Sequence, residues 1–428
     1  MKRLLWVALL LIAGSGLKAQ DYKLVVDADL LTRGELRIGG LATEDDDIAD
    51  NASFILERSR LGISYERPSL QTKLTAQHAT TWGSAQNVSF NVYEAWAKLF
   101  TKSGLFAQFG RQNLSYDDQR IFGSDEWSMT GLSHDALKLG YEGHGHKVHL
   151  VGAYNQNLAN MSGGTYFTGG LQPYKSMEAL WYHYDVPNTG LGASLLFMNA
   201  GMQGKDNNEV EHTFYQQIAG VYVSYRPKKW SAEAAYYHQM GKDETGIPID
   251  AWMASAKFAF NPGEHWSVYG GYDFLSGDHS FATPPKGSIG LTRHETIRGF
   301  SSLYGSHNKF YGAMDFFYIT TYVNGFTPGL QNAYVGGKLM PGKKVAVDAS
   351  YHFLATATKL YNAKMPLGHE VELKASYKFF NDCSISAGYS FMKGTDTMVV
   401  LKRASSQGDL HWAWLMLIIN PTIFSKAW

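Results

Sequence analysis

Residues 110–142, GRQNLSYDDQRIFGSDEWSMTGLSHDALKLGYE, concentrate the side chains best suited to chemistry. Arg111, Gln112, Asp117, Asp118, Arg120, Glu126 and Trp127 fall within this stretch, followed by Ser133-His134-Asp135. Two chemistries fit such a set. One is nucleophilic catalysis by Ser, His and Asp; the other is a charged, wet lining that orients solutes. The first fails on geometry. Neighbours on a strand point to opposite faces, so Ser133 and Asp135 cannot both serve His134.

Metal and cofactor chemistry are weaker still. In GHGHKVH, His144 and His146 share a strand face, with His149 nearby, but no further ligand is suitably spaced. The carboxylates of TEDDD (43–47) lack the Gly-spaced geometry of a calcium loop. Phosphate-cradling Gly loops are absent. No metal and no cofactor is expected.

The elements that must hold the polar stretch are strands. The chain has 428 residues, 26 Tyr, 23 Phe and 44 Gly, a β-rich composition. With 38 Lys+Arg against 38 Asp+Glu there is no basic face for a nucleic acid. Lys2 and Arg3, the apolar run LLWVALLLIAG and the small-residue end GLKAQ read as a signal peptide over 1–19, leaving 20–428 as a single domain. The lone Cys383 excludes a disulfide framework within the chain. No later run of about twenty apolar residues offers a spanning helix.

A two-residue rhythm offers another way across a membrane. In KLVVDADLLTRGELRIGG, Leu24, Val26, Ala28, Leu30, Leu36 and Ile38 share one face, and Asp27, Asp29, Arg33, Glu35 and Arg37 the other. HEVELKASYKFFN and AWMASAKFAFNP repeat the pattern over lengths suited to a tilted transmembrane strand. Eight short turn signals punctuate the chain, at 67–69, 101–104, 143–145, 187–189, 227–229, 261–264, 341–343 and 381–382. Long polar segments lie between them. Eight turns join sixteen strands, and the first and last make eighteen. The fold class is all-β, a transmembrane antiparallel up-and-down barrel with short periplasmic turns and long outer loops. KFYGAMDFFYI (309–319) resembles a further strand, but turn parity assigns it to an outer loop. HWAWLMLIINPTIF ends the chain on the aromatic pattern that outer-membrane assembly machinery reads. Such a barrel sits in the outer membrane of a Gram-negative bacterium, against lipid and lipopolysaccharide. An outer-membrane phospholipase is the enzymatic rival in this setting, but no outward Ser-His pair is evident, and no enzyme is expected. A receptor with an N-terminal plug domain fails on length, since the first strand starts near Tyr22.

The polar stretch also resembles the characteristic segment of the alginate export family of outer-membrane proteins. The matching positions are Gly110, Arg111, Gln112, Tyr116, Asp118, Arg120, Gly123, Trp127 and Asp135. Asp117 departs from it, standing where that family has Gly, and Leu132-Ser133-His134 replaces its usual Arg-x-Phe. SFILERSRLGISY resembles that family's second strand with its paired arginines, YDFLSGD its aromatic-Ser-Gly-Asp strand end and YGAMD its later loop element, in the right order. The resemblance implies an eighteen-stranded barrel passing an anionic polysaccharide.

The wall charges are balanced. Ten inward-facing cations, from Arg33, Arg37, Arg58 and Arg60 to Lys98, Lys138 and Lys257, face nine acids. An anion filter would then need clustered arginines. The expected constriction is the loop 113–132 with Arg111, Gln112, Asp118, Arg120 and Trp127, set against Arg33, Arg37, Arg58 and Arg60. The expected function is passive passage of polar, anionic, saccharide-type solutes. The alternative is a surface-binding or structural barrel whose loops plug the lumen. The solute, the direction of flow and the oligomeric state are not legible.

Overall fold

The computed structural model describes residues 22–39, 51–86, 88–156, 159, 174–205, 209–278, 295–306, 308–319, 327–360, 363–402 and 409–428. The expected signal peptide, 1–19, and the acidic run 43–47 lie outside them.

The alternating segments fold as strands, and sequential strands pair antiparallel. They run β1 (Lys23–Ile38), β2 (Ala52–Arg67), β3 (Leu70–Thr81), β4 (Val88–Phe100), β5 (Leu105–Gln112) and β6 (His134–Gly143). Then follow β7 (His146–Tyr154), β8 (Ser176–Asp185), β9 (Leu191–Lys205), β10 (Glu211–Tyr225), β11 (Trp230–Lys242) and β12 (Pro248–Phe260). The series ends with β13 (Trp266–Leu275), β14 (Leu330–Gly342), β15 (Val345–Ala355), β16 (Pro366–Phe380), β17 (Cys383–Gly394), β18 (Asp409–Ile419) and β19 (Thr422–Ala427). β18 pairs with both β17 and β1, which closes an eighteen-stranded ring. Past Asn420-Pro421, β19 continues along β1 alone, beyond the reach of β17. Proline has no N–H to donate, so the last strand breaks there. Closure leaves no unpaired edge inside a membrane, the condition a spanning sheet must meet.

All eight short turns expected from the sequence join consecutive strands at one end of the barrel, the turn end. The opposite, loop end is uneven: 243–247 is only five residues long, whereas 276–329 separates β13 from β14. The 309–319 segment is indeed no wall strand. It consists of turns and a short helix, α1 (Phe316–Ile319), and a second helix, α2 (Asp396–Lys402), precedes β18.

Outward faces are apolar. Leu61, Leu139, Leu195 and Leu373 stand about half exposed, at 50%, 45%, 55% and 51%. In water such a surface would aggregate; against lipid it is the solvated face. Aromatic rings ring the turn end, including Tyr22 stacked on Trp428 at 6.2 Å and Trp230 on Phe260 at 4.1 Å. The loop end of the belt is marked by Trp252 on Phe274 at 4.8 Å and by the Tyr351–His369 and Tyr389–His411 pairs. The tightly buried core lies inside the barrel, between the wall and two loop segments folded into it.

Candidate functional site

The loop between β5 and β6 enters the lumen. Its base is closed by Asn113 Nδ2 donating to the Leu132 carbonyl at 2.9 Å. Leu114, Ile121 and Phe122 are buried, and Tyr116 stacks on Trp181 at 4.7 Å. Asp117, Gln119 and Asp125 hold left-handed φ values of 51°, 70° and 45°, which fold the loop tightly. Asp tolerates that conformation better than most residues. Asp117 also accepts hydrogen bonds from Trp181 Nε1 at 3.1 Å and Ser194 Oγ at 2.5 Å. Burial raises the Asp117 and Asp118 carboxyls above their ordinary values.

Two charged latches hold the loop across the lumen. On one side Glu126 sits 2.7 Å from Arg60 and 3.2 Å from Arg58, and accepts the Tyr93 hydroxyl at 2.8 Å. Tyr93 reaches inward beside Glu94 because a bulge shifts the β3–β4 register there. Next to Glu126, Trp127 packs edge-on to Trp412 and Trp414, and the Arg33 guanidinium lies 3.9 Å above its ring. Arg33 in turn pairs with Glu35 at 2.8 Å. Burial opposes ionisation of Glu126, but Arg60, the Tyr93 bond and Arg58 outweigh it and hold the carboxyl below its ordinary value. On the other side Arg120 binds Asp118 at 2.9 Å, Asp273 of β13 at 2.6 Å and the Tyr311 hydroxyl at 2.8 Å.

A second segment, 297–316, backs the first. Phe122 and Tyr304 form an isolated bridge, and the Gly123 N–H donates to the Tyr304 carbonyl at 2.9 Å. Glu370 and Glu372 of β16 accept the backbone N–H groups of Met314 at 2.8 Å and Ala313 at 2.5 Å.

Below these loops the wall repeats one device. Where an inward glycine faces an aromatic residue across a strand pair, the ring lies flat over it. Phe106 lies over Gly140, Tyr237 over Gly220, Tyr269 over Gly336 and Trp414 over Gly388, and a Cβ on any of these glycines would strike the ring. Three of the rings carry lysine ammoniums: Lys98 is 4.0 Å from the Phe106 centroid, Lys257 is 5.3 Å from Tyr269 and Lys374 is 5.8 Å from Trp414. Such contacts orient an ammonium without neutralising it.

A cavity of about 510 Å³ lies between the loops and the β10–β16 wall. Arg120, Lys309, Phe310, Lys257, Tyr269 and Tyr334 are among its lining residues. Its carboxylates are engaged, Asp273 by Arg120, Glu233 by Arg226 at 2.9 Å, Glu372 by His352 at 3.3 Å and Asp348 by the Tyr269 hydroxyl at 2.7 Å. Lys257 and Lys309 have no carboxylate within ion-pair distance among the described residues. Lys309 Nζ donates to the Asp118 carbonyl at 3.0 Å, and burial lowers its pKa.

The structure brings most of the expected constriction together but changes its meaning. Arg33, Arg58, Arg60 and Trp127 converge on one latch, and Asp118 and Arg120 form the other. Arg37 pairs with Glu35 at 3.1 Å. Gln112 is buried, but its amide is spent on the Ala136 carbonyl at 2.9 Å, closing the strand pair. Arg111 is not in the pore at all. Phe106, Gln108 and Gln112 take the inward face of β5, so Arg111 points outward with Phe109. There it makes two bonds to Asp135, at 2.8 and 2.7 Å, near the loop end of the belt. Each expected arginine thus lies within ion-pair distance of a carboxylate, with Arg33 and Arg37 sharing Glu35 and Arg58 and Arg60 sharing Glu126. His134 faces inward onto Tyr174 at 2.9 Å while Asp135 faces outward, so the pair shares no site. His149 bonds Tyr116 and Glu142, and among the described residues no group of three His, Cys, Asp or Glu is placed to hold a metal. The residues named individually for the constriction did not include Glu126, Tyr93 or any of the segment 297–316. The surplus pattern at 309–319 was the one signal for that segment.

No family model matches the chain, and no curated protein matches it. Solved structures do. OccK2 (OpdF) of Pseudomonas aeruginosa, in complex with glucuronate, is 12% identical with a TM-score of 0.62, over 94% of this chain and 98% of that one. OccAB1 of Acinetobacter baumannii is 11% identical with a TM-score of 0.63, over 94% and 97%. OpdK of P. aeruginosa, with vanillate, is 12% identical with a TM-score of 0.60, over 94% and 99%. At these identities the likeness is one of fold.

Proposed function

We propose that the protein is an outer-membrane channel through which small polar carboxylates, about the size of one sugar or aromatic ring, pass passively. The observation that carries this reading is the cavity beneath the inserted loops. Its acids are ion-paired or hydrogen-bonded within the wall, while Lys257 and Lys309 present ammonium groups with no carboxylate within ion-pair distance among the described residues. A solute carboxylate supplies the missing charge, and the faces of Tyr269, Tyr334 and Phe310 suit a flat ring or the apolar face of a sugar. A cavity of about 510 Å³ under loops that cross the lumen supports single-ring solutes over the polymer implied by the alginate export resemblance. The fold neighbours solved with glucuronate and with vanillate are consistent with carboxylate cargo. The outward apolar belt and closed ring support placement in an outer membrane.

The test is liposome swelling with glucuronate, vanillate, glucose and glucosamine. Wild-type protein should admit glucuronate faster than glucosamine. Replacing one ammonium-to-carboxylate contact with a neutral amide costs about 1.5 kcal/mol, so Lys257→Gln and Lys309→Gln should each lower the glucuronate-to-glucose ratio by roughly tenfold. An unchanged ratio rejects these lysines as the selecting groups. A wild-type barrel that passes no solute favours the loop-plugged alternative.

A further inference from the structure

The wall opposite that cavity holds a second set of unsatisfied donors. Lys98 of β4, Gln108 of β5 and Lys138 of β6 are direct partners across two consecutive strand pairs, so their inward side chains stand side by side. Phe106, lying over Gly140, is flanked by both lysines, with Lys98 Nζ at 4.0 Å and Lys138 Nζ at 6.0 Å from its centroid. Two carboxylates lie nearby, Glu94 bound to Lys73 at 2.6 Å and Glu142 hydrogen-bonded to His149 at 3.0 Å, and neither is within ion-pair distance of Lys98 or Lys138. Among the described residues neither lysine has an ion-pair partner, and the Gln108 side chain, in a residue only 7% exposed, makes no hydrogen bond within the protein. Two like charges held against one ring repel each other, and the Gln108 amide between them has a hydrogen to donate. One ligand with several acceptor oxygens and more than one negative charge relieves all three groups together.

We propose that Lys98, Gln108 and Lys138 form an anion subsite for a divalent oxyanion of the phosphate type, on the lumen wall near the turn end. It rests on the lumen being open to solutes, as argued above, but on different side chains from the carboxylate cavity. Phe106 and Gly140 are its positioning residues. The ring holds the two ammoniums apart, and the missing Cβ lets the ring lie down. A phosphate-type dianion bridges the ammoniums through separate oxygens and accepts the amide hydrogen between them.

Isothermal titration of inorganic phosphate into the detergent-solubilised full-length barrel tests this, with glucuronate swelling run on the same preparations. Wild-type protein should bind phosphate. Each charge-assisted bond lost weakens binding about tenfold, so K98Q/K138Q should bind on the order of a hundredfold more weakly. K98R/K138R should retain binding, which guards against a folding artefact, and K257Q should bind phosphate as wild type does. Equal affinity in wild type and K98Q/K138Q, or no phosphate binding by wild type, overturns the subsite. If wild type still discriminates glucuronate from glucose without binding phosphate, the subsite alone is lost. Phosphate binding that depends on Lys98 and Lys138 without such discrimination upholds the subsite and removes the carboxylate cavity instead.

Discussion

At the scale of single residues, arginine and lysine divide the labour. Arg33, Arg58, Arg60 and Arg120 present several fixed donors each, and each is spent on carboxylates and carbonyls that hold the inserted loop. Lys98, Lys138 and Lys257 below carry compact charges on flexible stems and have no carboxylate within ion-pair distance among the described residues. Truncating Arg120 leaves Asp118 and Asp273 buried without their cation, a cost of about 3–5 kcal/mol. Arg120→Ala should therefore undock the loop, seen as protease cleavage within 113–133, while the wall keeps its resistance to heat. Glu126 adds a pH dependence. Docking lowers its pKa, so the docked loop binds fewer protons than the free loop. Its contribution is fully present above the free-loop value near 4.5 and is lost as pH falls through the lowered value. Asp117 and Asp118, raised by burial, act with the opposite sign, so the diagnostic quantity is a difference. Acidification from about pH 6 to about pH 3 should increase current fluctuations in planar bilayers more in wild type than in Glu126→Gln. Equal responses would remove Glu126 from the latch. Which residues face the pore was legible wherever strict alternation held, as at Arg33, Arg58 and Arg60. It failed at Arg111, where one position of register separates the lumen from the lipid side.

At the scale of elements, the wall was legible and the loops were not. Wall strands answer to a local rule, apolar outward and polar inward, and their turns to Gly, Pro, Asn and Asp. The lumen segments answer to contacts far along the chain, such as Arg120 with Tyr311 or Trp127 with Trp412. No local period encodes those. The 309–319 segment shows the difference, since its alternation is that of a strand while its Met314 N–H is claimed by Glu370. Because the loop base is pinned by Asn113 and Leu132, excising the span between them need not disturb the β5–β6 pair. A barrel with residues 114–131 replaced by a short Gly-Ser link should assemble and show several-fold higher conductance with weaker solute discrimination. Unchanged conductance would mean that the loop does not narrow the path.

At the scale of the whole molecule, one ring satisfies two solvents at once. Every wall strand must offer lipid an apolar face and water a polar one, and β1 must meet β18 in a register that puts Leu30 opposite Ile419. That closure, with β19 carried on past Pro421, removes the last open edge. The division between the faces is what made the architecture readable, and it gives a matched pair of substitutions on one strand. Leu373, near the middle of β16, is 51% exposed on the outer face, and Ser376 lies on the inner face with its hydroxyl toward the Ala346 carbonyl. A cation on the lipid face near the bilayer midplane costs about 2–4 kcal/mol, while the lumen hydrates it. Leu373→Arg should therefore shift the midpoint of reversible folding into lipid vesicles by that amount, and Ser376→Arg should leave it nearly unchanged while altering conductance. Similar penalties at both positions would mean that the outer face does not meet lipid. The inner lysines would then have no lumen to line.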